Sequence, residues 1–508
     1  MKKIELAGGN NTTILELLRS KETLISAPCG GQGRCGKCRV QLLSGTCPEP
    51  DEVEQDLLER QELEEGWRLA CRVRPAGRIS VAVPEGLSLP AVSPVGENPS
   101  AASSGDLIVA VDIGTTTIEM LLTDRRTGWR SPVSALANPQ AAWGADVMSR
   151  ITAANDGHGP ALTSSVRTAI AEGITRLCAS SGVDASNIRL VIIAANTVMM
   201  HLFLALSCSG LGVSPFRAVT LAPEPLEAVR LLSIPGLDCP LQCVPAVAAF
   251  TGGDITAGII YIHNRIMLKE PHRIWLLLDL GTNAEMVLHA EGTFWCISAA
   301  AGPAFEGASL TCGCAAIPGA VRSVYLSGGR FAYDQVPPVE QGSEPPGLCG
   351  SGVVGFLSAA LEAGLISSDG SVVPACRASG ILLAPGLSVR LTAGDVRELL
   401  VARAAIRASL DLLLKAAGRD LDEITAVYLA GSFGYHLAER DVLRTGLLPR
   451  SFAGRILAAG NTALAGAVEL ATGADSRYTD SVVSTALVVP SGGTPDFQER
   501  FLNAMEFD

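Results

Sequence analysis

The chain has 508 residues, of which 48 % are hydrophobic and 18 % charged, and its formal net charge is −12. This length exceeds what one hydrophobic core organises, so two or more domains are expected. The acidic balance argues against nucleic acid as the main partner, because phosphate backbones are bound by basic faces. No run of about 20 apolar residues and no hydrophobic leader is visible, so we expect no membrane partner and a cytoplasmic location.

The first predicted unit is residues 1–83, made of short alternating elements. In chain order they are a strand at Lys2–Leu6, a helix from a capping box at Thr13–Glu16 to about Ser20, a strand at Arg39–Leu43, an acidic helix from Asp51 to Glu65 and a closing strand at Ile79–Val83. Residues 84–105 carry prolines at 84, 90, 94 and 99 among Ser, Ala and Gly, which predicts an extended linker.

Cysteines crowd the first unit. Cys29, Cys35 and Cys38 follow one another at spacings of five and two intervening residues, within a glycine-rich segment. The close pair can place two thiolates on one metal, and the glycines let the backbone approach the inorganic sulfides. For the fourth ligand Cys71 is preferred over Cys47, because it follows the predicted acidic helix where the chain can return. A zinc knuckle stays the alternative, although zinc ribbons usually show two close pairs.

This segment resembles the plant-type and adrenodoxin-like ferredoxins. Its first gap is one residue longer than the usual plant spacing. The resemblance implies a β-grasp domain holding a [2Fe–2S] cluster on Cys29, Cys35, Cys38 and Cys71.

The second predicted unit spans 106–508 and is of the α/β class, with apolar strands alternating with helical stretches. The strand Leu107–Val111 runs into Asp112-Ile113-Gly114-Thr115-Thr116-Thr117, and the strand ending at Leu278 runs into Asp279-Leu280-Gly281-Thr282-Asn283. This echo predicts two related halves, about 106–272 and 273–490. A third strand ends at Gly431-Ser432-Phe433-Gly434, and the polar tail from about Pro490 is expected to fray.

Each Asp-x-Gly-Thr turn offers N–H groups and hydroxyls to phosphate, and a carboxylate to Mg²⁺ or its waters. One such turn alone is weak, but two copies after apolar strands favour a nucleotide site, while P-loop and Rossmann motifs are missing from the sequence. Asp112 and Asp279 are the candidate catalytic residues. The candidate ATP-binding residues are Gly114, Thr115, Thr116, Thr117, Gly281, Thr282, Asn283, Gly431, Ser432 and Gly434.

The three turns resemble the acetate/sugar kinase, heat-shock chaperone and actin superfamily, in which duplicated ribonuclease-H-like halves clamp ATP. The order ferredoxin, linker and actin-like ATPase resembles the reductive activators of corrinoid proteins over essentially the whole chain. Besides the three turns, the matching segments are Asn138-Pro139-Gln140, Gly144-Ala145-Asp146-Val147, Asn196-Thr197-Val198-Met199, Gly302 to Ala308, Gly347 to Gly352 and Gly460-Asn461-Thr462-Ala463. Ala195 and Cys314 stand where that family pattern has Gly and Met.

The resemblance implies an electron path from a low-potential donor through the cluster to an inactive Co(II) corrinoid protein, driven by ATP. The alternatives are a metabolite kinase with a fused redox module and an ATP-gated assembly factor for a metalloenzyme. The sequence leaves open whether the chain is a homodimer.

Several other residues have two readings. Asp146 and Glu306 can position water near the γ-phosphate or serve as capping carboxylates, and Ser351 can face a ligand or close a packing turn. Cys312 and Cys314 are expected to be buried thiols rather than a metal site, and His201 to belong to the core.

Overall fold

The structure is a computed structural model. It describes residues 1–9, 12–21, 23, 25, 31, 33, 36, 38–58, 60–83, 105–264, 273–306, 310–339, 342–431, 433–473 and 476–507. The predicted linker therefore lies almost wholly outside the described residues, as do Cys29, Cys35 and Ser432.

The first unit is a four-stranded antiparallel sheet in the order β1-β4-β2-β3. Its elements are β1 (Lys2–Ala7), α1 (Ile14–Ser20), β2 (Arg39–Ser44), α2 (Glu52–Leu57), α3 (Arg60–Glu64), β3 (Trp67–Leu69) and β4 (Arg78–Val83). Helix α1 buries Ile14, Leu15 and Leu18 in the core of this unit. The Thr13–Glu16 capping box is formed, since the Thr13 N–H donates to the Glu16 carboxylate at 2.6 Å.

One predicted element of this unit was wrong in detail. The acidic stretch from Asp51 to Glu65 is two short helices rather than one, and α2 ends where Leu58 turns to extended backbone. The side chain of Leu58 enters the core at that point. Burial of this leucine and of Glu54 outweighs the helix propensity of the acidic run.

The next part of the chain forms a six-stranded sheet in the order β7-β6-β5-β8-β10-β9. Its elements are β5 (Leu107–Ile113), β6 (Thr117–Asp124), β7 (Ser134–Ala137), α4 (Val147–Ala153), α5 (Gly159–Ser181), β8 (Ile188–Ala195), α6 (Thr197–Leu204), β9 (Leu226–Glu227), α7 (Ala228–Leu232), β10 (Pro240–Cys243) and α8 (Gly253–Ile262). Strand β5 is apolar throughout its first five residues because both faces of the sheet are covered.

The remaining part forms a second six-stranded sheet in the order β19-β18-β11-β12-β13-β20. Its elements are β11 (Trp275–Leu280), β12 (Ala284–Ala290), β13 (Thr293–Ala299), β14 (Val321–Ser327), β15 (Arg330–Gln335), α9 (Gly350–Glu362), β16 (Ile381–Leu382), β17 (Arg390–Leu391), α10 (Ala393–Ala417), β18 (Ala426–Ala430), α11 (Glu439–Arg444), β19 (Ile456–Gly460), α12 (Thr462–Thr472), α13 (Ser476–Thr485), β20 (Leu487–Val488) and α14 (Pro495–Asn503).

The two sheets share one topology over five strands. In both, the first strand is antiparallel to the second and the second to the third, while the first is parallel to the fourth and the fourth to the fifth. The predicted relation between two halves is therefore visible in the strand order itself. The actin-like part of the predicted fold class is confirmed.

The halves meet through helices α8 and α12. A methyl group on Gly466 of α12 would lie 1.9 Å from the carbonyl oxygen of Ala257 in α8, so the two backbones cross in direct contact. Helix α12 also packs on strands β5 and β8, although in sequence it directly follows β19 of the second sheet.

The polar tail was expected to fray, and this expectation was wrong. Helix α14 packs along α10, and Phe507 is only 4 % exposed. The buried guanidinium of Arg403 donates to the carbonyl oxygens of Ala504 and Glu506, which fixes the end of the tail.

Candidate functional site

The ferredoxin unit brings two of the four predicted cluster ligands together. Cys38 and Cys71 are both buried, and the Ala70 N–H donates to the Cys38 carbonyl oxygen at 2.8 Å. A methyl group on Gly31 of the glycine-rich loop would lie 3.9 Å from Cβ of Cys71. Cys71 therefore returns to the loop as the preferred fourth ligand must. Cys29 and Cys35 lie outside the described residues.

A buried ion pair holds the strand that delivers Cys71. The Arg68 guanidinium donates to both carboxylate oxygens of Glu54, at 3.1 and 2.7 Å, and to the carbonyl oxygen of Pro48. Glu54 also accepts the N–H of Leu69 at 2.9 Å. The sequence interpretation described this stretch only as an acidic helix and missed Glu54. Its one distinguishing signal was the arginine two residues before the Ala70-Cys71 pair.

The two Asp-x-Gly-Thr turns face each other in a cleft between the two sheets. Asp112 and Asp279 are the penultimate residues of β5 and β11, each near the tip of an antiparallel hairpin. The hydroxyl oxygens of Thr116 and Thr282 are 3.4 Å apart across the cleft. Its lining contains Asp112, Gly114, Thr115, Thr116, Thr117, Glu119, Asn196, Asp254, Asp279, Leu280, Gly281, Thr282, Asn283, Glu285, Gly431, Asn461 and Ala463.

Nearly all the residues predicted to bind ATP thus lie in one cleft. The exceptions are Ser432, which is outside the described residues, and Gly434, which packs against Leu280 beside the cleft without lining it. A methyl group on Gly431 would lie 2.6 Å from the Asp279 carboxylate, so only glycine permits this approach. Gly431 has φ +92°, which also favours glycine.

The cleft gathers five carboxylates, of which the sequence interpretation chose two. Glu119 pairs directly opposite Asp112 across the first hairpin, and Glu285 pairs opposite Asp279 across the second. Asp254 comes from the first turn of α8. The repeated Asp-to-Glu pairing across both hairpins was the signal available in the sequence, whereas the approach of Asp254 depends on the tertiary fold.

Burial shifts the protonation of these acids. It raises the pKa of Asp279 to about 7, reinforced by the charge of Asp254, and raises the pKa of Asp254 to about 6. The pKa values of Asp112 and Glu285 are raised well above their ordinary range, first by burial and then by the neighbouring carboxylates. Burial also raises the pKa of Glu119. Such a cluster is stabilised by bound cations, which remove the repulsion between ionised acids.

Two asparagines connect the cleft. Asn461, the N-cap of α12, donates to the carboxylates of Asp112 and Glu119, both at 2.7 Å. This hydrogen bond opposes the rise in the pKa of Asp112. Asn196, the N-cap of α6, donates to the Thr115 hydroxyl at 3.2 Å.

The other residues singled out in the sequence have plainer roles. Asp146 forms a capping box with Ser149 at the start of α4, and the Ser351 hydroxyl donates to the Arg322 carbonyl oxygen at 2.7 Å. His201 is fully buried, donating from Nδ1 to the Thr197 carbonyl and accepting the Val219 N–H at Nε2. The side chain of Glu306 is outside what the structure describes.

Among the described residues, no group of three or more His, Cys, Asp or Glu side chains is arranged to hold a metal ion directly. Cys312 is buried, as expected, whereas Cys314 is half-buried. A larger groove of about 880 Å³ lies between α5, α6 and α7, but it contains none of the clustered carboxylates. In the described parts of the chain, every helix is too short or too polar to cross a membrane.

Three family models match the chain in succession. They are the 2Fe-2S iron-sulfur cluster binding domain over residues 2–76, the RACo middle region over 107–264, and the C-terminal domain of RACo, the ASKHA domain, over 273–508. The first model covers Cys29, Cys35, Cys38 and Cys71, and the other two divide between the two sheets.

Two curated relatives that are similar in sequence have names that refer to corrinoid proteins. The corrinoid activation enzyme RamQ of Eubacterium limosum is 30 % identical over 393 residues, which are 71 % of this chain and 63 % of that protein. The [Co(II) methylated amine-specific corrinoid protein] reductase of Methanosarcina barkeri is 32 % identical over 252 residues, 46 % of this chain and 44 % of that one. The chain thus spans less than two thirds of the length of both relatives.

One solved structure matches nearly the whole chain. It is a reductive activator for corrinoid,iron-sulfur protein, with a TM-score of 0.71 and 25 % identity, covering 99 % of this chain and 96 % of that one.

Proposed function

We propose that this chain, which belongs to the RACo family by its ferredoxin, middle and C-terminal domains, is an ATP-dependent reductive activator of a corrinoid protein. It passes an electron from a low-potential donor to an inactive Co(II) corrinoid protein and so regenerates Co(I) for methyl transfer. The observation that carries this proposal is the joining, in one chain, of a ferredoxin domain to a cleft where two Asp-x-Gly-Thr hairpins meet. We also propose a cytoplasmic location.

The cluster domain supplies the electron. Four thiolates hold a [2Fe–2S] cluster in this kind of domain, and Cys38 and Cys71 fit that role because they are buried neighbours beside the glycine-rich loop. When bound, the cluster accepts and donates one electron at a potential near −400 mV in plant-type ferredoxins. We assign Cys29 and Cys35 as the other two ligands.

The cleft supplies the driving force. The reduction potential of a corrinoid Co(II)/Co(I) couple is generally lower than that of the cluster. Each 100 mV of that difference costs roughly 2.3 kcal/mol per electron. ATP can offset several kcal/mol if the conformers that it selects bind the corrinoid protein differently.

The residues of the cleft divide this work. We assign Thr115, Thr116, Thr282 and Asn283 to the phosphates, and the turn that begins at Gly431 to the adenosine. Asp112 and Asp279 would hold Mg²⁺ or its waters and would orient the attacking water. Glu119, Asp254 and Glu285 line the same cleft and would accept hydrogen bonds from the outer waters of the ion.

The test is anaerobic cobalt reduction. The reduced full-length protein is mixed with a Co(II) corrinoid protein, and the visible spectrum is followed with and without Mg²⁺ and ATP. We expect the Co(I) spectrum only with ATP, and its loss in Asp112→Asn. Phosphorylation of a metabolite without cobalt reduction would reject the proposal in favour of a kinase.

The cluster ligands are tested separately by EPR of the dithionite-reduced protein. Cys71→Ala is expected to abolish the [2Fe–2S] signal, and Cys47→Ala to retain it. The reverse result would show that Cys47 is the fourth ligand.

A further inference from the structure

The first phosphate hairpin is held by its carbonyl groups. Asn138 donates from Nδ2 to the Gly114 carbonyl oxygen at 2.8 Å, and its backbone N–H donates to the Thr116 carbonyl oxygen at 2.8 Å. Between them, Arg150 donates from Nη2 to the Thr115 carbonyl oxygen at 2.6 Å. Three successive carbonyls are therefore fixed by two residues that do not line the cleft and are 0 % exposed.

Fixing these carbonyls also fixes the N–H groups. In a planar trans peptide, the C=O and the following N–H point in opposite directions. Carbonyls of Gly114 and Thr115 held on the buried side therefore direct the N–H groups of Thr115 and Thr116 towards the cleft. Successive N–H groups that point into one concavity form an anion-binding nest.

Arg150 is itself held rigidly. Its Nε donates to the Gly144 carbonyl oxygen at 2.9 Å, and its Nη1 approaches Oε1 of Gln140 at 3.3 Å and the Met199 sulfur at 3.1 Å. The buried guanidinium also places a positive charge one peptide behind the nest, where the low dielectric screens it weakly.

This arrangement explains two sequence segments that have no other role in the cleft. Asn138-Pro139-Gln140 supplies the clamp on Gly114 and Thr116, together with one acceptor for Arg150. In the other segment, the Asp146 cap sets the first turn of α4, from which Arg150 projects, and Gly144 supplies an acceptor.

We propose that Arg150, acting with Asn138, is a positioning residue for phosphate recognition, which presets the N–H groups of the first hairpin for the triphosphate. The inference deepens the proposed function and rests on it, because it takes ATP to be the ligand of the cleft. It assigns no role in adenosine binding to either residue.

The test compares ATP with adenosine. The variant Arg150→Lys keeps the positive charge but has a single donor nitrogen. It therefore cannot reach the Thr115 and Gly144 carbonyl oxygens at once, as two nitrogens of the guanidinium do. We expect calorimetry on the full-length protein to show ATP binding weakened about tenfold or more, the loss typical of a hydrogen bond to a charged group. Adenosine binding is expected to stay within about twofold, because the carbonyls that Arg150 holds belong to the phosphate hairpin and not to the turn at Gly431.

A matched control separates positioning from packing. Arg403 is another arginine only 2 % exposed that donates to backbone carbonyls, at Thr445 and Gly446, outside the cleft. Arg403→Lys is expected to lower the melting temperature, yet to leave the ratio of ATP to adenosine affinity unchanged. Equal losses for ATP and adenosine in Arg150→Lys would overturn the inference.

Two further measurements decide the matter if Arg150→Lys does not fold. Serine in Asn138→Ser keeps a cap acceptor for the Gln140 N–H but is too short to reach Gly114, so it is expected to weaken ATP binding selectively. In the wild type, ATP but not adenosine should slow hydrogen exchange at residues 115 and 116. Unchanged exchange would reject this inference alone, whereas a wild type that binds no ATP would reject the proposed function.

Discussion

At the scale of single residues, Asp279 shows the conflict between stability and function. Its pKa of about 7 exceeds the ordinary value of 3.8, so the folded protein binds the proton more tightly than the unfolded chain. This group therefore contributes stability that is full below about pH 4 and is lost as the pH rises through 7. We expect Asp279→Asn to raise the melting temperature of the nucleotide-free protein at pH 8 by roughly 3 °C or more, while abolishing ATP-dependent cobalt reduction.

Differential scanning calorimetry at pH 5 and pH 8 checks this sign. The gain from Asp279→Asn should be larger at pH 8, and Mg²⁺ with ATP should stabilise the wild type more than the variant. Asp184→Asn is the control, since this exposed carboxylate caps the short turn at Ala185–Asn187 outside the cleft. A variant less stable than the wild type at pH 8 would show that the carboxylate is already compensated.

The second prediction at this scale concerns the buried ion pair between Glu54 and Arg68. The Glu54 side chain is almost fully buried and is the bidentate partner of Arg68, so Glu54→Gln leaves a buried guanidinium without its counter-charge. Such a loss costs about 3–5 kcal/mol. We expect the cluster absorbance to disappear at lower temperature or denaturant concentration than in the wild type.

Glu64→Gln is the matched control for this ion pair. Glu64 pairs with Arg60 on the surface of α3, where both side chains are mostly exposed, and such pairs contribute about 0–1 kcal/mol. Equal effects of the two substitutions would mean that Glu54 does not hold the strand leading to Cys71.

The sequence could identify site residues only where the reactive side chains lie within one short turn motif. Asp112, Asp279 and their threonines belong to short hairpins whose pattern is local. Asp254 reaches the cleft because α8 packs between the halves, and Arg150 because α4 folds behind the hairpin. Their positions depend on contacts between distant segments, which no local spacing records.

At the scale of elements, the strands preceding the turns were the most predictable, since continuous apolar runs specify buried strands. The tail was mispredicted because α14 is amphipathic and only nine residues long. The helix is stabilised by packing along α10 and by the hydrogen bonds that Arg403 donates to carbonyl oxygens after it, rather than by its own composition.

This dependence gives the third prediction. A chain ending at residue 490 loses α14 and Phe507, exposes the apolar surface of α10 and removes two acceptors from the buried Arg403. Losing one buried Phe side chain costs about 3–5 kcal/mol, so we expect a melting transition of the ATPase part lower by 5 °C or more.

Lys415→Gln is the control for the tail. It removes the salt bridge to Asp496, which is 2.7 Å long but largely exposed. We expect the free energy of unfolding to change by less than about 1 kcal/mol. An unchanged transition in the shortened chain would mean that the tail contributes little to stability.

At the scale of the whole molecule, the two halves are joined at their centre by α8 and α12, and both helices begin at the cleft. Asp254 lies in the first turn of α8, and Asn461 caps α12 while it holds Asp112 and Glu119. The distance between these helices therefore sets the spacing of the cleft groups. A nucleotide that draws the hairpins together must act on this crossing, which couples the cleft to the relation between the halves.

Gly466→Ala tests that coupling. The added methyl would meet the Ala257 backbone at 1.9 Å, so α8 and α12 must move apart and the cleft groups with them. We expect ATP affinity and ATP-driven cobalt reduction to fall about tenfold or more, while the EPR signal of the reduced cluster in the same protein stays unchanged, because the ferredoxin core is built separately. Gly159→Ala is the matched control, since its methyl meets only the Ala154 carbonyl oxygen at 3.7 Å. Unchanged ATP binding in Gly466→Ala would mean that the distance between α8 and α12 does not set the spacing of the cleft groups. Loss of the cluster signal would show that the two parts of the chain depend on each other for folding.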